Sequence, residues 1–380
     1  MLELGLGLLK RGHRVTVVCR DHAPDGVFAD GAGDIEIRSL RRAVPVPPAG
    51  NAQLARRFWL ELPKIARLVP CDVDVVNAHE WPALRPGRIA AGRLSAPLVW
   101  TRNDESLWER AVVPEHTIYG DRRMSRRLLR AALCWPDLLD ARRARAIVVL
   151  SAPQVEMVRR SYRRDAVVAG VGPAERFFDP PARAAARARL GVADDTFLVV
   201  GSGILVAHRR FEDLVEAMAL LRDDPSIRAL ITGSDHVDPA YADRLSALIA
   251  RHDLGERVRL PRRAVSDDEL QDTYVAADAF AILSQRYAWG LAPLEALASG
   301  APVLLTEGSG VVDILAGHAG VRVVAREDPA ALAAAIRGWR SGTGRAGIEA
   351  TRSWLREEYS IDRYVERMED VYAAAIADVG

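Results

Sequence analysis

The sequence has 380 residues, more than one compact core usually holds and enough for two domains. Its 49% hydrophobic and 27% charged residues are ordinary for a globular protein, and a formal net charge of +1 argues against general nucleic-acid binding. Cys19, Cys71 and Cys134 have no paired spacing, which indicates a reducing cytoplasm and supplies neither a disulfide framework nor a metal site. No apolar run approaches the roughly 20 residues that span a bilayer.

Strands and helices alternate through the first half of the chain. Helical spacing predicts a first helix that ends before Gly12, a second that Pro63 should kink, and a third with Pro86 in its first turn. The predicted helices cover residues 2–10, 53–69 and 85–94, and the predicted strands cover 13–19, 35–40, 73–78, 97–101, 146–150 and 166–172.

The same alternation continues in the second half. The predicted strands are residues 197–201, 228–232, 258–260, 277–283, 303–305 and 321–324. The predicted helices are residues 211–221, 241–252, 267–276, 291–299, 329–339 and 354–377. Continuous apolar strands that alternate with helices predict two doubly wound parallel sheets, an α/β fold.

Residues 281–305 form the most informative stretch, a buried strand, a loop and a helix that ends at Gly300. The first-turn N–H groups of such a helix lack backbone partners and carry partial positive charge, which suits a phosphate. Glu295, about one turn in, could accept hydrogen bonds from a ribose beside that phosphate. From periodicity alone, an ordinary αβ unit with a solvated glutamate is the simpler interpretation.

The residue identities in this stretch favour a nucleotide-sugar site. They resemble the donor signature of the family 4 retaining glycosyltransferases, which reads Glu, aromatic-Gly-Leu, a second Glu eight positions after the first, and Gly-x-Pro-Val. The matching residues are Trp289, Gly290, Leu291, Glu295, Ala296, Gly300, Pro302 and Val303. Tyr287 stands where the family has the first Glu, which contacts the donor. The resemblance extends from the amino terminus to about Tyr372.

The resemblance implies the GT-B fold, two doubly wound Rossmann-like domains that face a cleft. Residues 1–172 are expected to form the acceptor-side domain and 187–355 the donor-binding domain, with a C-terminal helix of about 360–380 packed back on the first. The family places a strand and a Gly-rich loop before its first helix. The amino-terminal strand is therefore expected to be missing here, through a truncated or misassigned start.

Residues 203–210 resemble the family's Gly-Arg-Leu…Lys-Gly loop, which clamps the donor diphosphate. Arg209 stands at the Lys position, Arg210 at the second Gly, and Ile204 where the family has Arg. The resemblance implies charge stabilisation by arginines and helix amides, without a metal or cofactor. The expected catalytic residues are Arg209, Arg210 and Glu295, and the expected donor-binding residues are Gly203, Tyr287, Gly290, Leu291 and Glu295.

Ligand loops of parallel sheets lie at the carboxyl ends of strands, which makes His79, Glu80, Asn103 and Asp104 the acceptor-side candidates. Two competing motifs are weaker. Gly201-Ser202-Gly203 could open a dinucleotide fingerprint, but Val206 replaces its third glycine. Asp72-Val73-Asp74 resembles the metal motif of GT-A sugar transferases, yet it begins a strand instead of ending one.

Residues 122–145 are dense in arginine. The arginines are Arg122, Arg123, Arg126, Arg127, Arg130, Arg142, Arg143 and Arg145, with Leu128, Leu129, Leu133 and Trp135 between them. Such a stretch can lie on an anionic membrane or hold an anionic acceptor, although a solvated helix face is the more common explanation.

The sequence therefore predicts a hexosyltransferase-type enzyme of glycan or glycoconjugate biosynthesis. It would move a sugar with retention from a nucleoside diphosphate to a small-molecule, lipid-linked or glycan acceptor. The alternatives are a catalytically impaired homologue that serves as a partner subunit, and an epimerase or hydrolase of sugar nucleotides with the same fold. The expected location is the cytoplasm, with peripheral attachment at the inner membrane surface as an option.

Overall fold

The computed structural model describes residues 2–22, 35–42, 62–113, 123–285, 289–340 and 342–377. The chain divides into two compact units. Unit 1 comprises Met1–Gly170 together with Ile361–Gly380, and unit 2 comprises Val171–Ser360. Each unit contains parallel strands with helices between them. None of the described helices is long and apolar enough to cross a membrane.

The elements follow the predicted alternation. The strands are β1 Thr16–His22, β2 Glu36–Arg42, β3 Val76–His79, β4 Leu98–Arg102, β5 Ala146–Val149, β6 Val167–Val168, β7 Phe197–Ser202, β8 Ile227–Thr232, β9 Val258–Arg259, β10 Ala279–Ile282, β11 Val303–Thr306 and β12 Val321–Val324. The helices are α1 Leu2–Lys10, α2 Trp81–Leu94, α3 Leu107–Val112, α4 Met124–Arg143, α5 Ala152–Tyr162, α6 Arg183–Leu190, α7 Phe211–Leu220, α8 Pro239–Arg251, α9 Asp267–Ala276, α10 Leu291–Ala298, α11 Val312–Leu315, α12 Pro329–Trp339, α13 Ile348–Tyr359 and α14 Ile361–Ala377. Short 3₁₀ helices cover Leu62–Leu68, Glu175–Phe177, Ala207–Arg209 and Thr343–Arg345.

Unit 1 contains two parallel sheets within its described residues. One is the pair β1–β2, and the other has the order β3-β4-β5-β6. Trp100 on β4 and Tyr162 on α5 are both fully buried, and their rings meet edge to face with centroids 5.3 Å apart. This packing fixes the second sheet beneath α5, and the carboxyl ends of β3 and β4 emerge side by side.

The described residues of unit 2 form one parallel sheet with the order β12-β11-β10-β7-β8-β9. The chain winds outward from β7 through β8 to β9, and then returns to β10 on the other side of β7. The order thus reverses between β7 and β10, and in open α/β sheets ligands bind outside the carboxyl ends of strands at such a reversal. Fully buried Val199, Leu214, Met218, Ile231 and Ile336 form part of the core beneath it.

Several predicted elements were wrong in extent, three of them markedly. Helix α2 begins at Trp81, with Pro82 in its first turn where a missing N–H costs nothing, and Pro86 lies inside the helix. The helix predicted over 354–377 is two helices, α13 and α14, because Ser360 adopts extended backbone between them. The strand predicted over 166–172 is only the two-residue β6.

The helix predicted over 53–69 lies partly outside the described residues, and its described end forms the 3₁₀ helix Leu62–Leu68. The expected absence of a strand ahead of α1 stays a prediction.

Candidate functional site

Three loops meet at the carboxyl edge of the unit 2 sheet. The loop after β7 donates backbone hydrogen bonds to the loop after β8, from Gly203 N to Thr232 O and from Leu205 N to Ser234 O, both at 3.0 Å. The loop after β10 joins them, because Gln285 N donates to the His208 carbonyl at 3.0 Å. Backbone hydrogen bonds therefore connect the three loops at the point where the strand order reverses.

Gly203 and Arg209 are neighbours across the loop that follows β7. Gly203 has φ +141°, a conformation that side chains strongly disfavour. A Cβ at this glycine would lie 3.2 Å from Cζ of Arg209, so the guanidinium sits against the glycine backbone. The sequence predicted both residues as parts of one phosphate loop, and the structure brings them together.

Arg210 points toward helix α7. Its Nε and one terminal nitrogen reach the Asp213 carboxylate at 3.0 and 2.6 Å, and its other terminal nitrogen lies 3.1 Å from Glu212. The hydrogen bond to Asp213 is the main reason why the pKa of Arg210 is raised. Arg210 also adopts the left-handed conformation, with φ 56°, at the position where the resemblance expects glycine. Its charge is thus balanced by its own helix.

Glu295 lies on α10 and is half-buried, in contrast to the solvated glutamate of the simpler interpretation. Burial raises the pKa of Glu295, while the Tyr274 hydroxyl donates a 3.0 Å hydrogen bond to its carboxylate and opposes that rise. Tyr274 is 1% exposed and also shares a hydrogen bond with Ser202 at the end of β7. The carboxylate is therefore held in place relative to the loop after β7.

The N-cap residue of α10 provides no capping side chain. Gly290 occupies this position, so the N–H groups of the turn that starts at Leu291 receive no hydrogen bond from an N-cap side chain. Trp289, just before it, is 5% exposed and donates its indole N–H to the Val171 carbonyl at 2.8 Å. Trp289 thus anchors the loop in the protein interior. Tyr287 lies outside the described residues.

Sequence reasoning missed the residues that fix the loop after β10. Thr306 donates a 2.7 Å hydrogen bond to the Ser284 carbonyl, and Gln285 donates one of 2.8 Å to Glu327. A Cβ at Gly308 would lie 2.1 Å from the Gln285 carbonyl oxygen, so only glycine fits there. Tyr274 was missed as well, because a tyrosine at helical spacing is indistinguishable from a core residue.

The four acceptor-side candidates gather at the carboxyl edge of the second sheet of unit 1. His79 ends β3, and Glu80 follows it with φ 67°. The backbone N–H of Asp104 donates to the Glu80 carboxylate at 3.1 Å, and the Asn103 side chain also hydrogen-bonds to it. The prediction that these residues share one edge is therefore supported by direct contacts between three of them.

Burial sets the protonation of this cluster. It lowers the pKa of His79 to about 4, so the ring is neutral at pH 7, and it raises the pKa of Glu80. The Asn103 side-chain oxygen is buried without a hydrogen-bond partner among the described residues. A neutral imidazole and an unsatisfied amide oxygen can recognise hydroxyl groups.

A buried ion pair supports this edge from below. Arg102 and Glu109 are both 0% exposed, and their bidentate contacts measure 2.6 and 2.7 Å. Glu109 also accepts a 2.8 Å hydrogen bond from the Ser106 backbone N–H, which completes the capping box of α3. The pair fixes the segment that carries Asn103 and Asp104.

Two family models together match most of the chain. Residues 1–169 match the model described as Glycosyltransferase Family 4, and residues 182–346 match that of Glycosyl transferases group 1. The D-inositol 3-phosphate glycosyltransferase of Geodermatophilus obscurus is 30% identical over 398 residues, which cover 100% of this chain and 84% of the relative. The chain belongs to the family 4 glycosyltransferases. Another D-inositol 3-phosphate glycosyltransferase, from Streptomyces bingchenggensis, is 30% identical over 320 residues, which cover 81% of this glycosyltransferase and 68% of the relative.

Solved structures identify the fold of this family 4 glycosyltransferase. Sucrose-phosphate synthase from Thermosynechococcus elongatus matches with a TM-score of 0.80 and 21% identity, over 99% of this chain and 92% of that one. Anabaena Alr3699/HepE, in complex with UDP and glucose, matches with a TM-score of 0.74 and 18% identity, over 98% and 95%. The predicted GT-B fold is confirmed, and so is the prediction of a glycosyltransferase.

The glycosyltransferase departs from its family's pattern at Ile204. This side chain is 43% exposed on the loop after β7, where the family has an arginine. Among the described residues, no group of three His, Cys, Asp or Glu side chains could hold a metal ion.

Proposed function

We propose that this glycosyltransferase transfers a sugar with retention from a nucleoside-diphosphate sugar to an acceptor hydroxyl. One observation carries the proposal: the reversal of the unit 2 sheet brings Arg209, the uncapped first turn of α10 and the anchored Glu295 to connected loops. A cation and free N–H groups suit a diphosphate, and a fixed carboxylate suits the ribose next to it.

Catalysis in this proposal is charge stabilisation of the leaving diphosphate. Arg209 and the N–H groups of Leu291 and its neighbours would neutralise the charge that develops on the phosphate oxygens as the glycosidic bond breaks. A phosphate oxygen on the same face of the sugar could take the acceptor proton, so no side-chain base is required. We assign Arg210 to holding the loop, since Asp213 and Glu212 already balance its charge.

Glu295 would bind the ribose, with Tyr274 as its support. An ionised carboxylate accepts stronger hydrogen bonds than a protonated carboxyl group, and burial raises the pKa of Glu295. The Tyr274 hydroxyl favours the ionised form. Gly203, Gly290 and Leu291 would contribute backbone contacts, and the role of Tyr287 in reading the sugar stays a prediction.

His79, Glu80, Asn103 and Asp104 would bind the acceptor. Because His79 is neutral at pH 7, its ring can donate or accept a hydrogen bond with a hydroxyl. Two relatives are named for D-inositol 3-phosphate and a GT-B neighbour was solved with UDP-glucose, so these two compounds are the first acceptor and donor to test. We expect activity to survive a metal chelator.

The test is product analysis over a panel of nucleotide sugars and acceptors. Wild type should form a product whose anomeric configuration by NMR matches that of the donor, and Arg209→Ala should lose most of this turnover. Arg228→Ala, which removes an exposed arginine on β8, is the matched control. An inverted product would contradict retention, and sugar release without transfer would indicate a hydrolase.

A second candidate function is that of a catalytically impaired partner subunit. The exposed apolar Ile204 on the phosphate loop favours it, because one of the two expected cations is absent from its usual place. Nucleotide binding without turnover of any donor would support this alternative. Peripheral attachment to an anionic membrane is also a proposal, and it rests on the surface of helix α4.

A further inference from the structure

Helix α4 in unit 1 leaves an unusual amount of apolar surface in solvent. Of the fourteen large hydrophobic residues that are exposed in the described parts of the chain, six lie on this helix. Their exposed fractions are Met124 61%, Leu128 64%, Leu129 63%, Leu133 50%, Trp135 53% and Leu139 40%. Single exposed apolar residues are normal, but a cluster of this kind marks an interaction site.

Four of these residues form one stripe. Met124, Leu128, Trp135 and Leu139 follow each other at spacings of four, seven and four residues, which a period of 3.6 places along one side of the helix. We call them the α4 stripe. The spacing is visible in the sequence, but only the structure shows that this side of the helix is exposed to solvent.

From Cys134 onward, the opposite side of α4 is buried in unit 1. Cys134, Asp137, Asp140 and Ala141 are each at most 4% exposed. Asp140 pairs with Arg88 of α2 at 2.5 Å, so a charged contact in the interior fixes the rotation of the helix. The α4 stripe therefore faces solvent as a consequence of how the helix is anchored, and the helix need not rotate to present it.

The exposed charges on α4 and at its ends are all of one sign. The exposed charged residues between positions 123 and 145 are Arg123, Arg126, Arg142, Arg143 and Arg145. The only carboxylates in this segment, Asp137 and Asp140, are buried. A second copy of the chain on this face would bring two such arginine sets together, which like-charge repulsion opposes. The complementary partner is apolar and anionic.

We propose that the α4 stripe and its arginines form a docking surface for an anionic lipid bilayer. Helix α4 lies parallel to the membrane plane, with Leu128 and Trp135 among the acyl chains and Arg142 and Arg143 at the phosphate level. Tryptophan favours this boundary because one end of its ring is apolar and the indole N–H is polar. The docking concerns unit 1 and does not require an active donor site.

The test is co-sedimentation of the full chain with vesicles of phosphatidylcholine alone or mixed with phosphatidylglycerol. Wild type should bind the mixed vesicles and bind phosphatidylcholine weakly. Arg143→Gln should weaken binding about fivefold, since each arginine near an anionic surface contributes about 1 kcal/mol. Leu128→Gln/Trp135→Gln should weaken binding at least about tenfold through lost insertion.

The matched control is Leu220→Gln/Val237→Gln, which changes two residues that are 52% and 58% exposed in unit 2. The control should bind vesicles like wild type, and all variants should keep their melting temperature and UDP affinity, because every changed side chain is on the surface. Equal vesicle binding by wild type and both α4 variants would overturn the proposal. The proposal would also be overturned if wild type did not bind the mixed vesicles but formed a concentration-dependent dimer that Leu128→Gln/Trp135→Gln abolishes.

Discussion

The carboxyl edges of the two sheets differ in where their charged side chains lie. In unit 2, Arg209 and Arg210 follow β7 at the edge and Glu295 lies on α10, and all three side chains are half-buried. In unit 1 the ion pair of Arg102 and Glu109 is fully buried beneath the edge, and His79 at the edge is neutral at pH 7. The first edge is suited to a charged diphosphate and the second to neutral hydroxyl groups.

The largest expected effect comes from breaking the buried pair of unit 1. Arg102→Ala would leave Glu109 buried without its partner, and we expect the free energy of unfolding to fall by about 3–5 kcal/mol. Urea unfolding measures this loss. Arg102→Met/Glu109→Gln removes both charges and keeps an acceptor for the Ser106 N–H, so it should recover most of the stability. An equal loss in the double variant would show that the unpaired charge is not the cause.

The neutral histidine predicts a pH dependence of stability. The pKa of His79 is about 4 in the folded state, against 6.5 for a histidine exposed to water, as in the unfolded state. Between these two pH values the unfolded state therefore binds more protons than the folded state. Stability conferred at neutral pH should therefore decrease as the pH falls from 6.5 toward 4, by up to about 3 kcal/mol. His79→Gln should flatten this part of the curve. An NMR titration with a pKa near 6.5 for His79 would contradict the comparison.

The smallest effect sharpens the description of unit 2. Tyr274→Phe removes the hydroxyl that donates to Glu295, at a cost of about 1 kcal/mol in nucleotide affinity. Burial already raises the pKa of Glu295, and loss of this hydrogen bond should raise it further. As the solution is acidified, the variant should therefore begin to lose UDP affinity at a higher pH than wild type does. Calorimetric titrations with UDP at several pH values measure the shift, and superimposable pH profiles would remove Tyr274 from the ribose site.

Local sequence patterns predicted much of this fold. Helices α9 and α12 and strand β12 have the predicted bounds, because Ser266 and Asp328 cap the helices and β-branched residues fill the strand. Pattern reasoning failed where a local signal had two meanings. A proline suits a first turn, but Pro86 is inside α2 and Pro82 occupies the first turn.

The site was predictable in composition but less so in detail. Gly203, Arg209 and Glu295 could be named as candidates because the residues around them resemble the motifs of family 4 glycosyltransferases. Arg210, the N-cap of α7, precedes Asp213 by three residues, a spacing that favours the ion pair and competes with phosphate binding. The contact between Arg102 and Glu109 depends on the turn between β4 and α3, and the Tyr274 contact joins two helices, so neither follows from local sequence.

The central claim is that Arg209 and the first turn of α10 bind the diphosphate of the donor. Isothermal titration of UDP into wild type, Arg209→Ala and the control Arg228→Ala tests it most directly. The account predicts tight binding to wild type and to the control, and a loss of about 1.5–3 kcal/mol in Arg209→Ala from the missing charge-assisted hydrogen bonds. Equal UDP affinity in all three proteins would contradict it.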